Sequence, residues 1–419
     1  QLGQWLGLPH NSLRTLVACG TAAAIGASFN TPLAGVAFAM EVVVMEYTIA
    51  GFLPVMIAAV TATAMAHLVF GSDIAFSIPA LTIQGIHELP LVILLGLLLG
   101  GLAAAFIRSL RYASGLLKGW PVVLRTMMGG LVVGVLGLFV PQIMGIGYDT
   151  VAQALAGEIG AGLLLAIVAA KLVATAAVLG LGVPGGLVGP TLIMGATAGG
   201  AVGMLAEQLL SPAVGGPALY ALLGMGAMMG ATLRAPLAAL TAMLELTGNP
   251  GIIMPGMLAI AAGTLSAREL FRTDSVYHLA MGERGLDPRR NPMLQAASRL
   301  GIVQLVDEDF RRLPAGSDDA GLDAILADPP RWILDGDDDL PTRVCDAESV
   351  LANRAAGRPA MAGAARLTSI DERASLREAI ERLRGSEADI LLVIRTEATG
   401  PARCAGVVTR QAIQSAYLS

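Results

Sequence analysis

The chain has little of the chemistry on which soluble and metal-binding proteins depend: charge, aromatic rings, cysteine and histidine are all scarce. Of its 419 residues 14% are charged and 4% aromatic, whereas 55% are hydrophobic and the mean hydropathy is +0.68. This balance excludes a wholly soluble fold, which needs a more charged surface at this length. The three cysteines, Cys19, Cys345 and Cys404, are far apart in sequence, which argues against a disulfide framework and a zinc site.

The few charged residues are unevenly distributed along the chain. Lys171 is the only one between Gly160 and Ala206, whereas charges become dense from Arg284 onward. A membrane-spanning helix needs about 20 mostly apolar residues. Candidate segments, some of them short, are 51–70, 89–107, 127–140, 160–181 and 254–265. The sequence therefore predicts a multi-pass integral membrane protein in contact with a lipid bilayer, and its 51 glycines indicate closely packed helices.

An internal repeat relates two distant parts of the apolar region. Residues 20–41, GTAAAIGASFNTPLAGVAFAME, resemble residues 224–245, GMGAMMGATLRAPLAALTAMLE, at a constant offset of 204 residues. The matched positions in the first copy are Gly20, Gly26, Pro32, Leu33, Ala34 and Glu41. Repeated halves with interrupted helices are typical of transporters whose site lies between the halves. Chance similarity between Gly- and Ala-rich helices is the alternative.

A glycine- and proline-rich break, VPGGLVGP, interrupts the apolar region at residues 183–190. Its backbone is expected to be non-helical within the membrane, which is tolerated only where the backbone is buried in protein or lines a water-filled cavity. Pro190 suits the first turn of the helix that follows. Amide groups at a helix N-terminus attract anions, so the break is a candidate anion site. A simple helix break is the alternative interpretation.

Four motifs occur in order along the chain: GASFNTPLAGVAFAME, a K-x-x-x-T run leading into GVPGGLVGP, MGATLRAPLAALTAMLELTGN, and DSVY at residues 274–277. Together they resemble the CLC family of chloride channels and chloride/proton antiporters. The resemblance implies an all-α membrane fold with an inverted repeat and broken helices over residues 1–285. It also implies that the N-terminal helices of the family are missing before Gln1, so that the chain is a fragment.

The resemblance implies the residues of an anion site. Backbone amides of the family's G-x-F-x-P motif correspond to Gly186, Leu187, Val188 and Gly189, and Val188 replaces the usual phenylalanine, which alters the pore wall. Tyr277 corresponds to a tyrosine whose hydroxyl binds the ion; an interfacial aromatic anchor is the alternative for this residue. The family's serine motif and gating glutamate would both lie upstream of the first residue.

The resemblance also bears on proton coupling. Family antiporters often carry an internal proton-transfer glutamate directly after the position of Glu41, and that place is occupied by Val42. This favours channel-like transport of chloride and other small monovalent anions, with chloride/proton antiport as the alternative, since some exchangers also lack the glutamate. For Glu41 and Glu245 a bracing role at the repeat interface is preferred over proton transfer. Lys171 is either structural or a source of positive potential.

The charged tail, residues 293–419, follows a polar linker at 286–292 and resembles the cytoplasmic pair of CBS domains found in the family. Apolar spacing predicts a helix at 376–383 and strands at 390–394 and 404–408, with a closing helix at 410–418. Residues 293–350 hold a degenerate first copy. The result is an α/β regulatory module.

Ligands of the tail are restricted by two details of its sequence. An adenine nucleotide is a possible ligand of the CBS-like pair, but the usual aspartate is replaced by Ala412, which weakens a ligand-sensing role. The acidic run 335–339, DGDDD, lacks the glycine and glutamate that an EF-hand loop needs, so we interpret it as a solvated loop.

Partners and location follow from the same resemblance. We expect a homodimer formed along residues 13–27, 32–45, 236–246 and 254–270, located in a bacterial inner membrane with the tail in the cytoplasm and without nucleic acid. Two rival classes remain. A non-transporting scaffold with a nucleotide-binding tail is one. An intramembrane enzyme is the other, and we expect no enzyme because the four histidines form no His or Asp pair within the apolar segments.

Overall fold

The computed structural model describes most of the chain, namely residues 2–6, 8, 10–45, 47–71, 85–210, 215–283, 300–313, 319–335, 341–386, 388–395 and 403–418. Spatial clustering divides the chain into two compact units: Val17–Asp287, and Pro288–Ser419 together with Gln1–Leu16. The predicted linker, 286–292, lies outside the described residues.

The part of the chain up to residue 283 is helical, as predicted. Its α-helices are α1 (Leu2–Trp5), α2 (His10–Phe29), α3 (Pro32–Phe38), α4 (Ile49–Phe70), α5 (Leu89–Leu116), α6 (Val122–Phe139), α7 (Tyr148–Leu155), α8 (Ala161–Gly180), α9 (Val188–Leu210), α10 (Pro217–Leu233), α11 (Pro236–Thr247), α12 (Ile253–Leu265) and α13 (Val276–Glu283). Short 3₁₀ turns lie at Ile86–Glu88, Pro141–Ile143 and Pro250–Ile252.

Seven helical segments of the described residues are long and apolar enough to cross a membrane. Five of them are predicted from the sequence. The other two, Ser12–Phe29 and Val188–Leu209, have mean hydropathies of 1.2 and 1.4, the lowest of the seven. Glycine, alanine, serine and threonine dilute the apolar signal there, while the same small residues let these helices pack closely.

The core of the helical unit lies where α9 and α10 cross. A Cβ added at Gly195 would overlap the carbonyl oxygen of Gly224, and one added at Gly224 would overlap that of Gly195. The two backbones are therefore in direct contact, and only glycine permits this. Tyr220 on α10 is fully buried beside the crossing, and a Cβ added at Gly199 would overlap its carbonyl oxygen.

Several helices are broken or change register, and the sequence predicts the position of one such break, at residues 183–190. α3 continues into a π-helical turn, Ala39–Val44, which ends at Met45 in the left-handed region with φ 56°. α12 continues in the same way into a π turn at Ser266–Leu270. Between α8 and α9 the chain is irregular, beginning with Gly182 at φ +94°. These breaks end helices inside the apolar unit.

The tail is an α/β structure built on one six-stranded sheet. Its elements are β1 (Phe310–Leu313), α14 (Asp319–Leu326), β2 (Trp332–Asp335), β3 (Arg343–Asp346), α15 (Ala347–Ala355), β4 (Ala365–Asp371), α16 (Leu376–Arg384), β5 (Ile390–Arg395), β6 (Arg403–Thr409) and α17 (Arg410–Leu418). The strands lie in the order β1-β2-β3-β4-β5-β6.

The same succession, strand-helix-strand-strand-helix, occurs twice in the tail. In each half the first pair of strands is parallel and the second antiparallel: β1 with β2 and β2 with β3, then β4 with β5 and β5 with β6. An antiparallel pairing of β3 with β4 joins the halves. The predicted helices and strands of the second half are confirmed, whereas β4 is not predicted from the sequence.

Residues before β1 belong with the second half of the tail. Ile302 is fully buried in the apolar cluster of that half, and Asp307 exchanges backbone hydrogen bonds with Val407 at 2.9 and 3.0 Å. The predicted first copy, 293–350, is therefore displaced: its repeated elements run from Phe310 to Ala355. Asp335 ends β2 and lies 3.6 Å from Arg343, whereas the rest of the acidic run is outside the described residues.

Candidate functional site

The helix that follows the glycine-rich break begins at the residues predicted to hold an anion. The first helical hydrogen bond at this end runs from the amide of Thr191 to the carbonyl of Leu187 at 3.1 Å. The amides of Val188 and Gly189 precede it and have no carbonyl one turn back, while Pro190 has no amide hydrogen. Leu187 is buried and Gly186 has open space where a Cβ would be. Amides at a helix N-terminus of this kind favour a negative charge.

A narrow apolar cavity lies beside this helix end, between the two copies of the repeat. Ile25 and Phe38 line it from the first copy, and their counterparts at the repeat offset, Met229 and Ala242, line it from the second. Val188 lines the same cavity. The interface between the repeats is thus where the sequence predicts a transport site.

Tyr277 contacts Phe38, which lines the cavity. The two rings meet edge to face with their centroids 6.0 Å apart, and Tyr277 packs half-buried against the main core. Phe38, the last residue of α3, therefore touches Tyr277 and also shares a cavity with Val188. Phe38 thus links Tyr277 with the cavity that Val188 lines, and nothing in the sequence singles it out.

The segment that carries Tyr277 is held by polar contacts from α10. Arg234, in the left-handed conformation that ends α10, donates to the carbonyl of Thr273 at 2.7 Å and forms an ion pair with Asp274 at 3.3 Å. The hydroxyl of Ser275 lies 2.7 Å from Nδ1 of His278 and accepts the backbone amide of His278 at 3.2 Å. These contacts fix the start of α13 and with it the position of the tyrosine.

Two glutamates form a reciprocal clamp between the repeats. The Glu41 carboxylate accepts the backbone amides of Leu237 and Ala238 at 3.0 and 2.9 Å. The Glu245 carboxylate accepts those of Leu33 and Ala34, the repeat counterparts, at 2.9 and 2.8 Å.

Each carboxylate therefore caps the N-terminus of a helix in the other repeat, where negative charge is favourable. These hydrogen bonds are the contacts that the predicted bracing role of Glu41 and Glu245 requires. Val42, next to the first glutamate, is partly buried against the main core and has no titratable group.

Lys171 has a structural role in this fold. Its ammonium is buried and donates to the carbonyls of Ile143 and Gly145 at 2.6 and 3.3 Å. These carbonyls lie at the end of a 3₁₀ turn, where helical donors are not available. The charge that the sequence analysis leaves undecided thus satisfies backbone oxygens at membrane depth.

The tail has an open cleft between β4 and α16. Its polar lining includes the carboxylates of Asp371, Glu378 and Glu381 and one guanidinium, that of Arg382. Thr409 accepts the amide of Ala412 at 3.1 Å and so caps α17. A lining rich in carboxylates is unfavourable for the phosphates of a nucleotide.

Comparison with known proteins adds the decisive observation. A family model described as "Voltage gated chloride channel" matches residues 1–268. The chain belongs to this family. The match contains the repeat, the clamp and the helix end at Val188, whereas Tyr277 and the tail lie beyond it.

Relatives within the family carry two kinds of name. A putative chloride channel protein ClcB-like of Ralstonia nicotianae is 34% identical over 282 residues, which are 67% of this chain and 66% of the relative. The H(+)/Cl(-) exchange transporter ClcA of Salmonella agona is 33% identical over 267 residues, 61% of this chain and 56% of the relative. The chain thus spans between about half and two thirds of the length of these relatives.

Solved structures of the family resemble the fold described above. A slow cyanobacterial Cl-/H+ antiporter is 25% identical with a TM-score of 0.62, and the match covers 69% of each chain. A eukaryotic CLC transporter is 20% identical with a TM-score of 0.55; the match covers 96% of this chain and 70% of the other. The second likeness concerns fold alone, and its coverage includes the tail as well as the helices.

Proposed function

We propose that the protein carries chloride, with other small monovalent anions, across a membrane, and that it is not an enzyme. The observation that supports this most is the position of Phe38, which contacts Tyr277 and, with Val188, lines a cavity between the two repeats. Amides and a hydroxyl bind an anion without a full positive charge, so the ion also leaves readily, as permeation requires.

We further propose channel-like permeation. Coupled exchange needs a chain of titratable groups across the inner half of the protein, because charge in hydrocarbon is costly. Val42 has no proton to give, and both oxygens of Glu41 are already occupied as a helix cap. Chloride/proton exchange is the second candidate, favoured by the relatives whose names describe exchange.

Reconstitution of the full-length protein in liposomes distinguishes the two. Chloride efflux and external pH are recorded together under a chloride gradient. Channel-like transport gives chloride efflux that proceeds without proportional proton movement. Uphill proton movement at a fixed ratio to chloride would reject the channel proposal and support exchange. Absence of anion flux from properly inserted protein would reject both and favour a scaffold.

Tyr277→Ala tests the anion site in the same liposomes. We expect weaker chloride binding, measured by isothermal titration, and altered efflux, because one hydroxyl donor of the proposed site is lost. Tyr47→Ala, at an exposed tyrosine, is the matched control. Equal chloride affinity in Tyr277→Ala and the unmodified protein would remove this residue from the site.

The direction of insertion is proposed from the charges at the helix ends. Residues 108–125, from the end of α5 to the start of α6, contain four Lys or Arg and no acid, whereas residues 141–160 at the opposite end of α6 contain two acids and no Lys or Arg. The positive-inside rule puts the basic end in the cytoplasm. Arg108 donates to the carbonyl of Phe271 at 2.7 Å, so the residues after α12 lie at that same basic end. This supports a cytoplasmic tail and, with bacterial relatives, a bacterial inner membrane.

The tail is proposed to be a regulatory CBS-type pair, because its two halves repeat one succession of strands and helices. An adenine nucleotide remains the candidate ligand, but Ala412 and the acidic cleft disfavour it. Isothermal titration of ATP into the full protein tests this: we expect no saturable heat, and micromolar binding would assign the tail as a nucleotide sensor.

A further inference from the structure

An open groove lies between α5, α6 and α8 at the basic end of the helical unit. Its volume is about 620 Å³ and its lining is almost wholly apolar, including Leu116, Met128, Val132, Val173 and Ala177. Leu116, Met128 and Val173 are exposed. An open apolar groove of this size on a helical membrane protein fits a flexible hydrocarbon chain.

Positive charge surrounds the same end of the groove. Arg108 lines it directly, and Arg125 lies on α6 one turn before the groove-lining Met128. The Nε atom of Arg125 is buried and has no hydrogen-bond partner among the described residues. Lys118 is exposed on the connection between α5 and α6. No carboxylate occurs in residues 108–125 to neutralise these cations.

Two aromatic side chains mark the level of the membrane surface here. Tyr112 lines the groove and is 72% exposed, and Trp120 on the connection is 52% exposed. Exposed tyrosine and tryptophan are typical of the headgroup region. The cations and the aromatic residues are thus at headgroup level, while the apolar lining continues along α6 and α8 toward the middle of the membrane.

We propose that this groove binds an anionic phospholipid of the cytoplasmic leaflet, with an acyl chain between α6 and α8 and the phosphate near Arg125 and Lys118. Charge complementarity between the cations of this end and a phosphate favours an anionic lipid over a zwitterionic one. A second copy of this chain does not suit the groove, because it would bring further cations of the same end together. The inference is independent of the transport mechanism.

Tryptophan quenching by brominated lipids tests the proposal on the full-length protein in nanodiscs. Dibrominated phosphatidylglycerol and dibrominated phosphatidylcholine are compared at equal mole fraction. The difference in fluorescence between the unmodified protein and Trp120→Phe isolates the signal of Trp120. We expect phosphatidylglycerol to quench Trp120 at roughly tenfold lower mole fraction than phosphatidylcholine, since each nearby cation adds to the attraction.

Three variants decide the outcome. Arg125→Gln with Lys118→Gln should remove the preference for phosphatidylglycerol, and Val173→Phe, which fills the groove at an exposed position, should reduce quenching while the charges remain. Arg268→Gln, an exposed arginine paired with Glu269 outside the groove, is the control and should keep the preference. Equal quenching by both lipids would overturn the proposal, and so would a preference for phosphatidylglycerol that survives the double variant. The proposal would also fail if inorganic phosphate competed with the lipid while Val173→Phe left the quenching unchanged.

Discussion

At the scale of single residues, the most informative feature is the pair of carboxylates that cap helices across the repeat. Glu41→Gln and Glu245→Gln keep one acceptor oxygen and lose the charge. We expect each to lower the stability of the purified protein by about 1–2 kcal/mol, since hydrogen bonds to charged groups contribute about that much. Thermal unfolding monitored by size-exclusion chromatography measures this, with Glu158→Gln, an exposed position, as the control.

The same two variants separate a brace from a proton carrier. If both carboxylates only cap helices, chloride efflux per folded protein stays close to that of the unmodified protein in each variant. A loss of flux in Glu41→Gln alone, with unchanged thermal stability, would contradict the bracing role and assign this residue to the transport path.

A second prediction at this scale concerns the thiols of the tail. Burial raises the pKa of Cys345, with a further contribution from the neighbouring Asp346, and burial likewise raises the pKa of Cys404. Only the thiolate reacts with iodoacetamide, so both should alkylate slowly at neutral pH and faster as the pH rises. Because the folded pKa values are raised, the tail also loses stability as the pH rises through the ordinary thiol range.

Mass spectrometry of the alkylated peptides gives the two rates, with the denatured protein as the reference for free thiols. Labelling of the folded tail at pH 7.5 as fast as in denaturant would show that these cysteines are not protected by the sheet described here.

Polar residues of the candidate site can be identified from the sequence, whereas apolar residues of the site cannot. Glu41, Glu245 and Tyr277 are polar groups in an apolar context, and that contrast identifies them. Phe38 is an apolar residue in an apolar helix, so nothing in the sequence distinguishes it. Its contact with Tyr277 joins parts of the chain that only the folded unit brings together.

At the scale of elements, the crossing of α9 and α10 depends on glycine. Gly195→Ala forces a Cβ into the carbonyl of Gly224, and we expect destabilisation of about 1–3 kcal/mol, as for other overpacked cores. Gly130→Ala makes the same change on α6, where the added Cβ meets nothing within 4 Å, and should be neutral or slightly stabilising. Melting temperatures of the two variants provide the comparison, and equal values would show that the crossing is looser than described.

Element prediction succeeds where one residue class dominates a segment. Long apolar runs indicate α4, α5, α6, α8 and α12, and alternating charge indicates α16. The π turns after α3 and α12 cannot be predicted in this way. A π turn changes the spacing of the backbone hydrogen bonds, but it does not change the residue types of the segment. β4, ARLTSID, is missed because Ile370 is its only buried residue.

At the scale of the whole molecule, the repeat leaves matching apolar side chains on the surface. Leu33 is 48% exposed and Leu237, its counterpart, 45%. Both follow the prolines that begin α3 and α11, two of the helices expected in a homodimer. We predict that Leu33→Trp with Leu237→Trp shifts the protein toward monomers, because bulky rings hinder close helix packing.

Light scattering in mild detergent measures the mass of the complex. Leu138→Trp, at an exposed position on α6 outside the expected interface, is the matched control and should remain dimeric. Monomers for the unmodified protein would contradict the homodimer itself, whereas dimers for the double variant would assign the interface to other helices.

The repeat makes the architecture predictable from sequence, because a constant offset specifies which segments are equivalent. The offset does not specify how the equivalent segments touch. That the acids of one copy accept amides of the other, and that Ile25 and Met229 face one cavity, depends on the crossing of helices far apart in the chain.

The reciprocal clamp also constrains the order in which the protein can be made. The hydrogen bond from Ala34 to Glu245 closes a segment of 211 residues. While the ribosome is still synthesising that segment, the first turn of α3 is in the membrane without the acceptor that it has in the folded state, which is costly in hydrocarbon. The cap on α3 therefore forms only after Glu245 has been synthesised, so the two halves complete their folding together.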